Sequence, residues 1–306
     1  MQVHRSIAQL PAFRNAVVTI GTFDGVHRGH QKIIEALKTE AKRVDGETVI
    51  ITFHPHPRKI VRPQEHLQLI NTLEEKTGLL QKAGVDHLVV VPFTTDFAEL
   101  SADEYIEKFL VENFKPASII IGYDHHFGKG RQGNYQLLEQ KASQFHYHLV
   151  EIPQHVLNEI TISSTKIRKA ILASEIKVAN QLLGYPFYFE GLVVNGDQLG
   201  RTLGYPTANL QSTDDDKIRL GHGVYAVYAS VVGQTYKGMM SIGTRPTLEK
   251  SEEKVEVNIF DFSEKIYGKK LVVTVVKFLR GQEKYSSLEE MVQQLHRDKE
   301  TSLSVL

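Results

Sequence analysis

Cysteine is absent from the 306 residues. That excludes disulfides, thiolate metal sites and thiol catalysis, and it fits the reducing cytoplasm, where the protein is expected to reside. Neither sign of charge is in excess, with 36 Lys+Arg against 36 Asp+Glu. A chain without a net field is not drawn to polyanions, so neither nucleic acid nor an anionic membrane is an expected partner. Long apolar runs are missing too. No stretch approaches membrane-spanning length, and the opening Met1-Gln2-Val3-His4-Arg5-Ser6 lacks the apolar core of a secretory leader. No internal repeat, low-complexity segment or long apolar stripe occurs, so a monomer or weak oligomer is expected. The length suits two ordinary domains, each able to bury its own core.

Short apolar strands alternate with helical patterns up to about residue 184. Strands are expected at 17–20, 48–53, 87–93, 118–122 and 148–152, and helices at 31–43, 73–83, 102–113 and 135–144. A last helical run, 164–183, ends at Gly184 before Tyr185-Pro186. Strands without inside/outside alternation, each followed by a helix, predict a parallel sheet covered on both faces. Beyond residue 185 the texture turns to β, with strands expected at 187–194, 223–232, 235–242, 255–262 and 271–279. A hairpin at Val232-Gly233 and a closing helix at 286–299 complete the pattern. These predict a small antiparallel barrel, so the expected domains are 1–184 and 185–306. The acidic runs at 214–216 and 249–253 read as solvated loops.

The first domain's chemistry is concentrated in Gly21-Thr22-Phe23-Asp24-Gly25-Val26-His27-Arg28-Gly29-His30. A glycine-rich strand-to-helix turn places His27 and His30 at a helix N-terminus, where unpaired N–H groups and the helix dipole favour phosphate. Three residues apart, the two imidazoles can share a face and stabilise charge building on phosphorus. Two exposed histidines beside a tight turn, or a zinc site, would give the same residues; the lack of cysteine and of a His-Glu-x-x-His helix argues against zinc. Phe53-His54-Pro55-His56-Pro57 and Gly122-Tyr123-Asp124-His125-His126-Phe127-Gly128-Lys129-Gly130-Arg131 follow strands and border the same crevice. The second stretch is not a P-loop, since its spacing is wrong and no Ser/Thr follows Lys129. Ser163 and Ser164 open the last helix, with Arg168 about one turn on. That suits a departing pyrophosphate, and equally an ordinary serine cap followed by surface cations.

In the second domain, Gly200-Arg201-Thr202-Leu203-Gly204-Tyr205-Pro206-Thr207-Ala208-Asn209 sets two glycines around a basic residue, which lets backbone N–H groups approach phosphates. Extended geometry puts the Thr207 hydroxyl and the Asn209 amide oxygen on one side, two neutral ligands suited to Mg²⁺ shared with ATP phosphates. A Gly/Pro turn entering a strand is the plainer alternative. Glu256, opposite Val255, Val257 and Ile259, can take the proton of an attacking hydroxyl, or be a solvent-facing strand residue. Residues 243–247 and 278–280 end neighbouring strands and could complete a pocket.

With these segments in view, residues 21–30 and 163–168 resemble the HxGH nucleotidyltransferases. Nearly all of 15–300 is similar to the bacterial bifunctional riboflavin kinase/FMN adenylyltransferases, also called FAD synthetases. The resemblance implies a Rossmann-like domain that transfers AMP from ATP to FMN, giving FAD and pyrophosphate. It also implies a β-barrel domain that phosphorylates riboflavin with ATP, both reactions using Mg²⁺. It assigns ATP phosphates to His27 and His30, within a nucleotide site comprising Gly21, Phe23, Asp24, Gly25, Gly29 and Ser163. Ser164 and Arg168 would hold the leaving group, Asp124 would be a polar catalytic residue, and Pro55, Pro57, Tyr105 and Phe127 would touch flavin. In the barrel it implies Gly200, Arg201 and Gly204 over the phosphates, Thr207 and Asn209 on Mg²⁺, Glu256 as base and Arg280 on flavin or phosphate. His54, His125 and Asn258 depart from the usual wording of that family. A cytidylyltransferase with an unrelated barrel, or a non-catalytic flavin- or nucleotide-responsive regulator, are the competing readings; the regulator could dispense with His27, His30, Thr207, Asn209 and Glu256.

Overall fold

The computed structural model describes residues 1–122, 125–153, 162–196, 199–246 and 251–306. The chain divides into two compact units, Met1–Leu67 with Asn71–Ser164, and Gln68–Ile70 with Thr165–Leu306.

The first unit is built on six strands: β1 (Gln2–His4), β2 (Val17–Ile20), β3 (Thr48–His54), β4 (His87–Pro92), β5 (Ser118–Gly122) and β6 (His148–Ile152). Their order is β1-β4-β3-β2-β5-β6 and every pairing is parallel. Alternate residues feed two cores. Val18, Ile51, Val89 and Ile119 pack on one face, and Val17, Ile50, Leu88 and Ile120 on the other with Ile34 and Leu37 of the helix Arg28–Arg43. Both faces are therefore apolar, which is why the strands read as continuous hydrophobic runs. The strand order reverses at β2, which lies between β3 and β5, and this places the turn after β2 at the switch-point crevice.

β1 was not expected, being three residues long and too short to show a period. The single helical run expected at 164–183 is two helices, Ser164–Leu172 and Ile176–Leu183. Ser174 between them takes φ +60°, and its hydroxyl lies 2.8 Å from that of Tyr225. A tertiary contact thus imposes a break that neither glycine nor proline announces.

In the second unit β7 (Tyr188–Val194), β8 (Ala208–Ser212), β9 (Gly223–Val231), β10 (Gln234–Pro246), β11 (Ser251–Ile259) and β12 (Lys270–Arg280) close a barrel in the order β10-β11-β8-β7-β12-β9, with antiparallel pairings throughout. The β9–β10 hairpin turns through Val232 (φ +51°) and Gly233 (φ +78°), the two positive φ values of a tight two-residue loop. The helix Leu288–Val305 packs on β9, β10 and β12.

Candidate active sites

His27 caps the helix Arg28–Arg43, and its Nδ1 accepts the His30 N–H at 3.3 Å. A neutral ring whose Nδ1 accepts carries its proton on Nε2. His30, in the first helical turn, stacks on His27 with ring centroids 3.7 Å apart and planes 14° apart. Gly29 makes room for this, since a Cβ there would stand 3.2 Å from the His27 ring. Burial first, then His27 and Lys76, hold the His30 pKa well below the usual imidazole value. The ring is neutral near pH 7, and its Nδ1 is buried without a hydrogen-bond partner. An orphaned buried nitrogen in a native site points to a missing ligand atom.

The turn carrying these rings runs through Phe23 (φ +48°), Gly25 (φ +90°) and Val26 (φ +35°). It is held by its carbonyls. That of Thr22 accepts from Lys76 Nζ at 2.7 Å and from Thr52 Oγ1 at 3.1 Å, that of Asp24 from Ser164 Oγ at 2.9 Å, and that of Val26 from Gln31 Nε2 at 3.0 Å. Asp24 Oδ1 accepts the Asn71 N–H at 3.3 Å. Ser164 is therefore brought directly against the turn, and Ser163 immediately precedes it. Arg168 lies one turn further along the same helix, within the second unit. Gly21 lies against the ring of Phe23, where a Cβ would meet it at 3.2 Å.

Pro55 follows β3, and Pro57 is the first residue of a short helix, Pro57–Val61, capped by His56. Tyr105 and Phe127 are both buried and stack on each other with centroids 4.9 Å apart, so each gives one ring face to the other. Asp124 lies outside the described residues.

The second unit contains one cavity in which Gly200, Thr207, Glu256 and Arg280 meet. Met239, Met240 and Leu295 make part of its wall apolar. Gly200 is required by close approach: a Cβ would fall 2.3 Å from the Tyr205 carbonyl oxygen, while the Tyr205 N–H donates to the Gly200 carbonyl at 2.7 Å. Gly204 closes the turn at φ +80°. Arg201 sits between them, exposed, in the short helix Leu199–Thr202. Asn209 pairs in register with Glu256 across β8 and β11, and its amide packs so tightly on Gly196 that a Cβ there would meet it at 2.0 Å. Thr207 Oγ1 lies 3.5 Å from where a Gly200 Cβ would be, an ordinary contact distance. A hydroxyl and a side-chain amide are neutral donors of the kind that suit a Mg²⁺ ion keeping waters and sharing phosphate ligands; Thr207 lines the cavity, and Asn209 pairs with the cavity residue Glu256. Among the described residues no group of three or more His, Asp or Glu is placed to hold a metal alone.

Several cavity residues were not anticipated from the sequence. Asn258 donates from Nδ2 to the Pro206 carbonyl at 2.7 Å and so fixes the backbone beside Thr207. Arg280 is gripped by Asp298 of the closing helix, Nη2 to Oδ2 at 2.7 Å and Nε to Oδ1 at 2.9 Å. Burial pulls the Arg280 pKa down, and the bonds to Asp298 more than reverse this. Tyr205 OH lies 2.6 Å from His296 Nδ1 on that helix. An aspartate within an amphipathic helical pattern carries no signal that it faces a cavity.

Comparison with known proteins agrees with this division of chemistry. A FAD synthetase model matches residues 10–166 and a riboflavin kinase model residues 183–306. The chain is 37% identical to a bifunctional riboflavin kinase/FMN adenylyltransferase of Listeria monocytogenes, over 94% of this chain and 91% of that one. It is 33% identical to the protein of the same description from Escherichia coli, over 97% and 94%. A crystal structure described as a macrolide-efflux protein from Streptococcus pneumoniae superposes with a TM-score of 0.89 at 31% identity, covering 98% of each chain. In the present chain no described helix is long and apolar enough to cross a membrane. Two family models in this order, and relatives matched along nearly their whole length, place the chain in the bifunctional riboflavin kinase/FMN adenylyltransferase family.

Proposed function

We propose that the chain makes FAD from riboflavin in two steps, riboflavin + ATP → FMN + ADP and then FMN + ATP → FAD + pyrophosphate. We assign the second step to residues 1–184 and the first to residues 185–306, in a cytoplasmic enzyme that needs no stable partner. The observation that carries the reading is the meeting of Gly200, Thr207, Glu256 and Arg280 in a partly apolar cavity, far along the chain from a stacked His27/His30 pair at a helix N-terminus.

The two steps ask different things of the protein. An alcohol must lose a proton to attack the γ-phosphorus, and Glu256 in the cavity wall is the carboxylate to accept it. Thr207 and Asn209 would hold Mg²⁺ brought in with ATP, whose chemistry is to neutralise charge between neighbouring phosphates. Gly200 and Gly204 let the backbone close over those phosphates, with Arg201 beside them, and Arg280 sets the opposite wall. The phosphate of FMN is already an anion and needs no base. Its oxygen attacks the α-phosphorus of ATP while His27 and His30 donate to the phosphate oxygens, and pyrophosphate leaves toward Ser163, Ser164 and Arg168. Gly21, Phe23, Asp24, Gly25 and Gly29 shape that turn. Asp124 is proposed as a further polar group there, with Pro55 and Pro57 at the flavin and the Tyr105/Phe127 stack as the floor of its pocket.

Incubating the chain with riboflavin, ATP and Mg²⁺ and following the flavins by HPLC tests this directly. FMN should appear first and FAD after it. Unconverted riboflavin, or FMN that never becomes FAD, would reject the assignment.

A further inference from the structure

The turn that presents the histidines is strained and must be held. Phe23 and Val26 both have positive φ, a conformation that a β-branched residue rarely adopts and that persists only where surrounding contacts over-determine it. One such contact comes from a residue outside the motif. Lys76, on the helix Leu73–Lys82, sends its ammonium back to donate to the Thr22 carbonyl at 2.7 Å, with Thr52 Oγ1 at 3.4 Å. It is 6% exposed, and among the described residues it makes no direct ion pair. Burying an ammonium costs several kcal/mol, on the order of what a small domain can spare, and a methionine of similar shape would fill the space without that cost. The Thr22 carbonyl has a second donor in Thr52, so the hydrogen bond alone does not account for a charge here.

The groups facing the ammonium are those of the phosphate turn. Asp24 and His30 interact with it from the turn and its helix, and Thr52 from β3. Glu75, its neighbour on its own helix, instead accepts from the Thr72 N–H and from Asn71 Nδ2. We propose that Lys76 is a positioning residue for adenylyl transfer: from behind the turn it fixes the Thr22 carbonyl and supplies the positive charge beneath the phosphate-binding face of His27 and His30. This rests on the adenylyl-transfer reading of that site. Burial lowers the Lys76 pKa to about 8, partly offset by Asp24, so the charge is present at neutral pH and is lost just above it.

Two variants separate the parts of the proposal. Lys76→Met removes charge and donor together; Lys76→Gln keeps an amide that can reach Thr22 and removes the charge alone. FAD formation from FMN is measured beside riboflavin phosphorylation by the same chain, whose kinase residues lie in the other unit. In both variants kcat/KM for ATP in FAD formation should fall at least tenfold, with phosphorylation within twofold of wild type. In the wild type that kcat/KM should decline above about pH 8, and both variants should lack this alkaline limb. The His30 imidazole, followed by NMR without substrate and assigned with His30→Gln, should titrate at higher pH once the cation is gone. The melting temperature of Lys76→Met should equal or exceed that of wild type, opposite to the effect expected of a purely structural lysine. Adenylyl transfer within twofold of wild type in Lys76→Gln would overturn the proposal. So would an unmoved His30 titration, or joint loss of both activities with a lowered melting temperature. A wild-type chain that made no FAD would instead sink the reading of the site, while the substrate-free His30 titration would still decide whether Lys76 acts on the histidines.

Discussion

Removing the Arg280 guanidinium should free the closing helix from the barrel more than removing its partner does. Arg280 and Asp298 share three contacts of 2.7–3.2 Å, and Asp298 is 3% exposed. Taking away one member of a buried pair costs about 3–5 kcal/mol, mostly because the other charge is stranded. The two sides are not equivalent here. Without Asp298, Arg280 still bonds the Gly281 carbonyl at 3.0 Å and lies 3.7 Å from Glu283, which is half-exposed. Without Arg280, Asp298 keeps only Gln294 Nε2, at 2.9 Å, in a buried place. We expect Arg280→Met to weaken attachment of the helix by about 3 kcal/mol, Asp298→Asn by about half that, and Arg280→Met with Asp298→Leu by less than Arg280→Met alone. Whole-chain melting does not isolate the opening of one helix. Hydrogen exchange of the amides in Leu288–Val305 reads the local opening directly, and 3 kcal/mol corresponds to roughly 150-fold faster exchange. The riboflavin KM should rise alongside, because the helix forms one wall of the cavity, while FMN adenylylation is unchanged. Exchange within threefold of wild type in Arg280→Met, or additive costs in the double variant, would refute the reasoning.

Glu256→Ala should abolish FMN formation while FMN-to-FAD conversion persists, and His30→Ala should do the reverse, both read by HPLC on folded protein. Gly200→Ala should raise the ATP KM of the kinase step at least tenfold, since the new methyl would stand 2.3 Å from the Tyr205 carbonyl oxygen, with adenylyl transfer as the unaffected control. The first unit should lose stability as pH falls below about 6.5. The unfolded chain then binds a proton at His30 that the folded ring, its pKa held down chiefly by burial, refuses; urea midpoints at pH 7 and 5.5, compared with those of His30→Gln, measure it.

The strands of the first unit were legible because burial on both faces leaves an uninterrupted apolar run, and β2, β3 and β5 begin where that run begins. Five of the six barrel strands were expected, helped by the Val232-Gly233 turn; β8, which follows the Gly/Pro turn, was not among them. Less could be read wherever a distant segment decides the outcome. Ser174 breaks a helix because Tyr225 lies beside it, fifty-one residues away. Glu256 carried the same local pattern as a solvent-facing strand residue; it lines a cavity because the barrel closes and a helix lies over its mouth. Lys76 follows Leu73-Glu74-Glu75 on a helix whose exposed residues are Glu74, Gln81 and Lys82, and its contact with the turn after β2 accompanies its burial. Tyr105 and Phe127 entered through the resemblance as flavin contacts, and their stacking on one another depends on segments twenty-two residues apart in sequence.

The two sites solve opposite electrostatic problems, and the buried groups follow from that. The kinase step must move a proton off an alcohol, so its cavity holds a carboxylate, and its guanidinium is neutralised by Asp298 and does not act as an open anion trap. The adenylyl step must bring two polyanions together with no proton to remove. On the proposed reading the imidazoles act there as neutral donors, since a permanently charged pair stacked at 3.7 Å would repel itself. A site for two anions built on neutral rings must draw its positive potential from elsewhere. The helix N-terminus supplies part of it, equivalent to about half a charge. A whole charge, placed where water cannot screen it, is what a lysine buried behind the turn provides. The same placement makes it costly enough that the fold would be more stable without it.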